Sequence, residues 1–108
     1  MTVLNGRNTC FYKNDNLHSV KTVLINITGK VQGVFFRQTA KEKAGALGIN
    51  GTVRNLADGS VEITCTGTKE QLDSLISWCH EGPPRASVTH VDWKEQDLKS
   101  FSGFTIVR

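Results

Sequence analysis

Between Lys21 and Arg108 the apolar residues change period several times, and that succession restricts the chain to very few topologies. Val23, Ile25 and Ile27 fall at every second position, with Leu24 and Asn26 between them, as on a strand with one buried face. Ala40, Ala44 and Leu47 then recur at i, i+4 and i+7, which lays a stripe of mostly small residues on a helix that Gly48 ends. Two strands follow. One runs from Gly51 to about Asn55 around Val53, and the other alternates Val61, Ile63 and Cys65 with Glu62, Thr64 and Thr66. The Asp58-Gly59 step between them suits a tight hairpin, because glycine takes the positive φ such a turn needs. A second helix opens on a Thr68/Gln71 capping box, carries Leu72, Leu75, Ile76 and Cys79 on one stripe, and stops at Gly82-Pro83-Pro84. Trp78 lies off that stripe, as a residue shielding the edge of the core. Two strand candidates close the chain, Ala86 to about Glu95 and a last segment with Phe104 and Ile106 in phase. In the first of these, Val88 differs in parity from Val91 and Trp93, which suggests a bulge.

The order strand, helix, strand, strand, helix, strand, with a fifth strand at the end, predicts an α+β fold. It is the ferredoxin-like split βαβ sandwich (βαββαβ), an antiparallel sheet with two helices on one face. That fold hosts many functions and selects none of them. With 108 residues there is room for one small domain, and folds that need about 200 residues or more are excluded. No stretch approaches the roughly 18 apolar residues of a spanning helix. Residues 1–20 show no sustained period and hold four Asn, so they are expected to form a flexible N-terminal extension to a domain over residues 21–108. They lack the apolar core of a signal peptide, and a cytoplasmic location is the expectation.

The net charge of +3 comes from scattered Lys and Arg, without a run that would make a nucleic-acid arm or a membrane patch. It suits a small anionic substrate, and a monomer is expected. Cys10, Cys65 and Cys79 contain no CxxC pair, and His18, His80 and His90 are not at ligand spacing. The thiols therefore read as buried or incidental, and no metal or cofactor is expected.

Chemistry can gather where the first strand meets the first helix, in Gly29-Lys30-Val31-Gln32-Gly33-Val34-Phe35-Phe36-Arg37. A glycine-containing loop of successive N–H groups, leading into a helix N-terminus, can wrap an anion, and the planar fork of Arg37 can grip two of its oxygens. The loop has neither the Walker A lysine nor a dinucleotide fingerprint. The same residues would equally serve a plain turn followed by a solvated arginine. Asn55, just before the hairpin, is open to two readings as well: a residue that favours turns, or an amide that holds a water beside the anion.

Taken together, GKVQGVFFR, GTVRN with the following DGSVE, and GPPRASV resemble the acylphosphatase family, in its order and at its spacing, over roughly residues 21–108. The resemblance implies that Arg37 binds phosphate and that the backbone amides of Gln32, Gly33, Val34, Phe35 and Phe36 cradle it. It implies that Asn55 positions the attacking water. The activity implied is hydrolysis of the carboxyl–phosphate bond of an acyl phosphate to a carboxylate and inorganic phosphate, without metal or cofactor. One departure is Thr52, where the family often has Trp or Tyr; it is expected to alter packing beside the site and to leave these roles intact.

Two other readings compete. One is a non-catalytic accessory module of the same fold that binds phosphate or carbamoyl phosphate; the end of the chain at Arg108, with no further domain, favours the free-standing enzyme. The other is RNA binding on the sheet, which would need exposed aromatics on the central strands, and VEITCTG offers none.

Overall fold

A computed structural model describes residues 19–108, so Cys10, His18 and the extension expected over residues 1–20, as far as residue 18, lie outside the described residues. The elements in chain order are β1 (Val20–Lys30), α1 (Phe36–Leu47), β2 (Asn50–Asn55), β3 (Val61–Thr68), α2 (Lys69–Glu81), β4 (Ser87–Gln96) and β5 (Phe104–Ile106). They form one five-stranded sheet in the order β4-β1-β3-β2-β5.

The alternation in β1 and β3 sets the register. Val23 faces Cys65, Ile25 faces Ile63 and Ile27 faces Val61, while Val53 of β2 meets Ile63 from the other side. A slip of one residue would turn this whole apolar set to solvent. Both helices cover that face: Ala40 and Ala44 of α1, and Leu72, Leu75 and Cys79 of α2, are buried in the same cluster as the strand residues. Alanine on the α1 stripe lets that helix lie close to the sheet. Its end is an αL cap at Gly48 (φ 79), whose N–H reaches the carbonyls of Ala44 and Gly45. Among the described residues, no helix is long and apolar enough to cross a membrane.

Four strands pair antiparallel, as expected, but the fifth does not: β5 runs parallel to β2, and the sheet is mixed. The cause is the connection between β4 and β5. These strands occupy opposite edges, and the chain between them crosses the sheet on the face away from the helices. Two threonines hold it there. Lys99 N–H donates to Thr22 Oγ1 (2.8 Å), and Thr66 Oγ1 donates to Lys99 O (2.7 Å). Thr22 is thereby fully buried although its parity is that of the polar face. β5 sets out beside Gly51 and ends beside Val53, so it runs towards the end of the sheet where β2 finishes.

The parity change in β4 is a bulge. Thr28 pairs with His90 and Gly29 with Val88, which leaves Thr89 as the extra residue and lets both Val88 and Val91 pack against the core. Gly29 lies inside β1 at that bulge rather than in a loop, and a Cβ there would come within 2.2 Å of Ser87 O.

Candidate active site

The loop from β1 to α1 is anchored by Val31, Val34 and Phe36, all buried in the core. Phe36 also packs on the half-buried Trp78 ring of α2, with centroids 5.2 Å apart, which fixes where α1 begins. Between these anchors, Gly33 (φ 74) and Phe35 (φ 64, ψ 24) take left-handed conformations and are exposed. Glycine adopts that region freely; a residue with a Cβ does so at a steric cost.

Phe35 is the N-cap of α1, and its side chain cannot accept a hydrogen bond. The first turn of α1 holds no acidic residue either. Its leading N–H groups thus lack a side-chain acceptor at the positive end of the helix dipole, the usual physical basis of an anion site. Arg37, the second helical residue, is half-buried, and no ion pair among the described residues involves it.

Asn55 is the last residue of β2 and pairs with Val61 across the hairpin. Its Oδ1 is buried and accepts no hydrogen bond from the described residues. A buried acceptor left this way costs about 1–3 kcal/mol unless something else donates to it. The hairpin behind it is, by contrast, well held. Leu56 N–H donates to Ser60 O (2.9 Å), and the Asp58 carboxylate accepts from both the Ser60 amide (2.9 Å) and the Ser60 hydroxyl (2.6 Å). The Ser60 hydrogen bonds, side chain first, hold the Asp58 carboxyl below its usual 3.8. Asn26 Nδ2 donates to the Ser60 hydroxyl from β1 (3.1 Å).

Gln32 ties the two halves together. Its Nε2 donates to Leu56 O (2.8 Å) and to Ser60 O (2.9 Å), so the β1–α1 loop and the turn that follows Asn55 are joined by one side chain. Gly33, Phe35, Phe36, Arg37 and Asn55 line one cavity of about 270 Å³. The side chains of Gln32 and Val34 do not line it: that of Gln32 turns to the hairpin, and that of Val34 is an anchor in the core. Thr52 does not line it either; it pairs with Thr64 and Thr105 on the face away from the helices.

Four residues outside the site expected from sequence complete the lining: Val31 ahead of α1, Gln38 next to Arg37, Ile106 at the end of β5, and Arg108 beyond it. The phase of Phe104 and Ile106 marked a strand but not its neighbour, and nothing local distinguishes Arg108 from the other basic residues. Elsewhere, burial pushes the thiols of Cys65 and Cys79 up to about 12, which leaves them poor nucleophiles. Among the described residues, no group of three or more His, Cys, Asp or Glu comes together as metal ligands would.

With this geometry in place, the likeness to known proteins is specific. A family model described as Acylphosphatase matches residues 23–106. An acylphosphatase of Methylococcus capsulatus is 43% identical over 90 residues, 82% of this chain and 98% of its own. The structure of an acylphosphatase from Coxiella burnetii is similar at a TM-score of 0.80 and 37% identity, covering 83% of this chain and 95% of that one. T. kodakarensis HypF is similar at a TM-score of 0.69 and 32% identity, over 80% of this chain but 11% of its own. On the family match, and on relatives similar over nearly their whole length, the chain belongs to the acylphosphatase family.

Proposed function

We propose that the cavity holds the phosphoryl group of an acyl phosphate against Arg37 and the N–H groups of residues 32–36, and that Asn55 holds the water that attacks it. The coarser statement stands on the family: the chain is an enzyme of the acylphosphatase class, hydrolysing acyl phosphates. One juxtaposition carries the finer reading. An uncapped helix N-terminus, an arginine with no carboxylate partner among the described residues and a buried amide oxygen with no donor among them are brought to a single cavity.

The reaction asks for little beyond this. The water oxygen forms a bond to phosphorus as the bond from phosphorus to the acyl oxygen breaks. The electron pair leaves on the carboxylate, which is stable once released. The water protons pass to phosphate and solvent. Asn55 Oδ1 accepts from that water and directs its lone pair at phosphorus. In the loose transition state of phosphoryl transfer, positioning and charge stabilisation supply most of the catalysis, and these are what Arg37 and the loop amides offer.

The test is hydrolysis of benzoyl phosphate, with EDTA present, by the wild type and by folded Arg37→Ala and Asn55→Ala. Arg37→Ala is expected to lose both phosphate inhibition and turnover. Asn55→Ala should lose turnover while its inhibition constant for phosphate stays close to the original. Equal loss of phosphate binding in the two variants would show the division of roles to be wrong. A phosphorylated residue trapped by rapid quench would defeat direct attack by water. A folded wild type that binds phosphate without turning substrate over would replace hydrolysis with an accessory binding role.

A further inference from the structure

Phe35 combines two features that a folded chain ordinarily avoids. It is the one non-glycine among the described residues with a positive φ, and it is the most exposed of their large hydrophobic side chains, at 69%. Glycine in its place would relieve the backbone and remove the exposed ring together. Two residues earlier, Gly33 makes that simpler choice (φ 74) in the same loop. The phosphate cradle needs only the amide of residue 35, so nothing in the handling of the anion calls for a phenyl ring. The ring does not serve the core either, whose share of this loop falls to Val31, Val34 and Phe36.

Phe35 is one of the residues that line the cavity Arg37 and Asn55 share, together with Ile106 from β5, and its side chain stays exposed there. An acyl phosphate has two chemically different ends. With its phosphoryl group on Arg37 and the helix N-terminus, its acyl group has to leave the cradle past the cavity wall, and the apolar side chains of that wall are the surfaces it can meet. We infer that the Phe35 ring is the platform for the acyl group, and that the enzyme prefers acyl phosphates whose acyl group is aromatic or a bulky hydrocarbon over those with a small or polar one. Contact between the Phe35 ring and such an acyl group removes apolar surface of both from water. Acetyl and carbamoyl groups present too little surface to gain from it. The inference rests on the acyl phosphate hydrolysis proposed above.

The experiment compares kcat/KM for benzoyl phosphate and for acetyl phosphate in the wild type, Phe35→Gly and Phe35→Leu. Glycine accepts the left-handed backbone, so the loop keeps its course. Any general damage to the cradle scales both substrates alike and cancels in their ratio. The wild type is expected to favour benzoyl phosphate by about tenfold or more, with Phe35→Gly losing most of that ratio and Phe35→Leu intermediate, mainly through KM for benzoyl phosphate. A ratio unchanged in both variants, with hydrolysis of both substrates intact, overturns the inference and leaves the hydrolase reading in place. A wild type that hydrolyses neither substrate overturns both.

Discussion

The two helices begin in opposite ways. At the start of α2, Thr68 Oγ1 accepts from the Gln71 amide (3.2 Å) and Gln71 Oε1 accepts from the Thr68 amide (2.8 Å), with Glu70 in the first turn against the helix dipole. At the start of α1 there is no capping side chain and no acid, and a left-handed phenylalanine stands where a serine or aspartate would ordinarily cap. One terminus is closed by the chain's own side chains, and the other has no side-chain cap. The difference teaches where to look for a site. In a small domain, local polar groups are cheap to satisfy, as α2 demonstrates, so a terminus left unsatisfied beside an arginine with no ion pair among the described residues is the place where we propose the anion site.

The contrast can be broken at several points. The largest effect is expected at the open end: Arg37→Ala should lower turnover about 100-fold or more, in line with losing one donor to a developing charge, and should abolish phosphate inhibition. A change of a few-fold would make the backbone the dominant anion ligand. At the closed end, Thr68→Ala should cost about 1 kcal/mol of stability, a fall in Tm of about 4–8 °C for a domain this size, and leave kcat/KM unaltered well below the transition. An effect of Thr68→Ala on activity would show that the two termini are coupled.

Gln38 follows Arg37 and lines the cavity. Gln38→Glu gives α1 the acidic first turn that α2 already has, and should weaken inhibition by phosphate about two- to fivefold, the more so at low salt. Tighter or unaltered inhibition would mean that the α1 dipole is not what attracts the anion. The smallest effect belongs to the hairpin. Because the folded pKa of Asp58 is depressed, its contribution to stability is present above the unfolded value near 3.8 and is lost as pH falls through the folded one. Urea midpoints of the wild type and Asp58→Ala should therefore differ at neutral pH and converge in acid. A gap independent of pH would assign the stabilisation to something other than the carboxylate.

The hairpin also explains why part of the site escaped a sequence reading. Periodicity and turn chemistry place Arg37 and Asn55 at element ends, but those residues alone equally suit a solvated arginine and a plain turn, and it is the resemblance to the acylphosphatase family that proposes them for the site. The clamp from Gln32 to Leu56 O and Ser60 O was not legible, because a glutamine in a loop carries no sign of which distant carbonyls it will meet. Phe35 read as one more cradle residue. Its exposure and its backbone conformation follow from how Val34 and Phe36 on either side are drawn into the core.

Period, capping and turn chemistry are short-range properties, written in neighbouring residues. They were enough for both helices and for the β2–β3 hairpin with its Asp58-Gly59 turn; in β4 the switch of parity marked the bulge at Thr89. Strand order and direction at the sheet edges are settled by contacts between residues far apart in the chain. Three residues of β5 have too few side chains to specify a partner, and it is Lys99 on Thr22 and Thr66 that carries the chain across the sheet to pair parallel with β2. That long-range pairing brings Ile106 and Arg108 to the cavity, so the far wall of the cavity is a product of tertiary packing, whereas the β1–α1 loop is a product of local sequence.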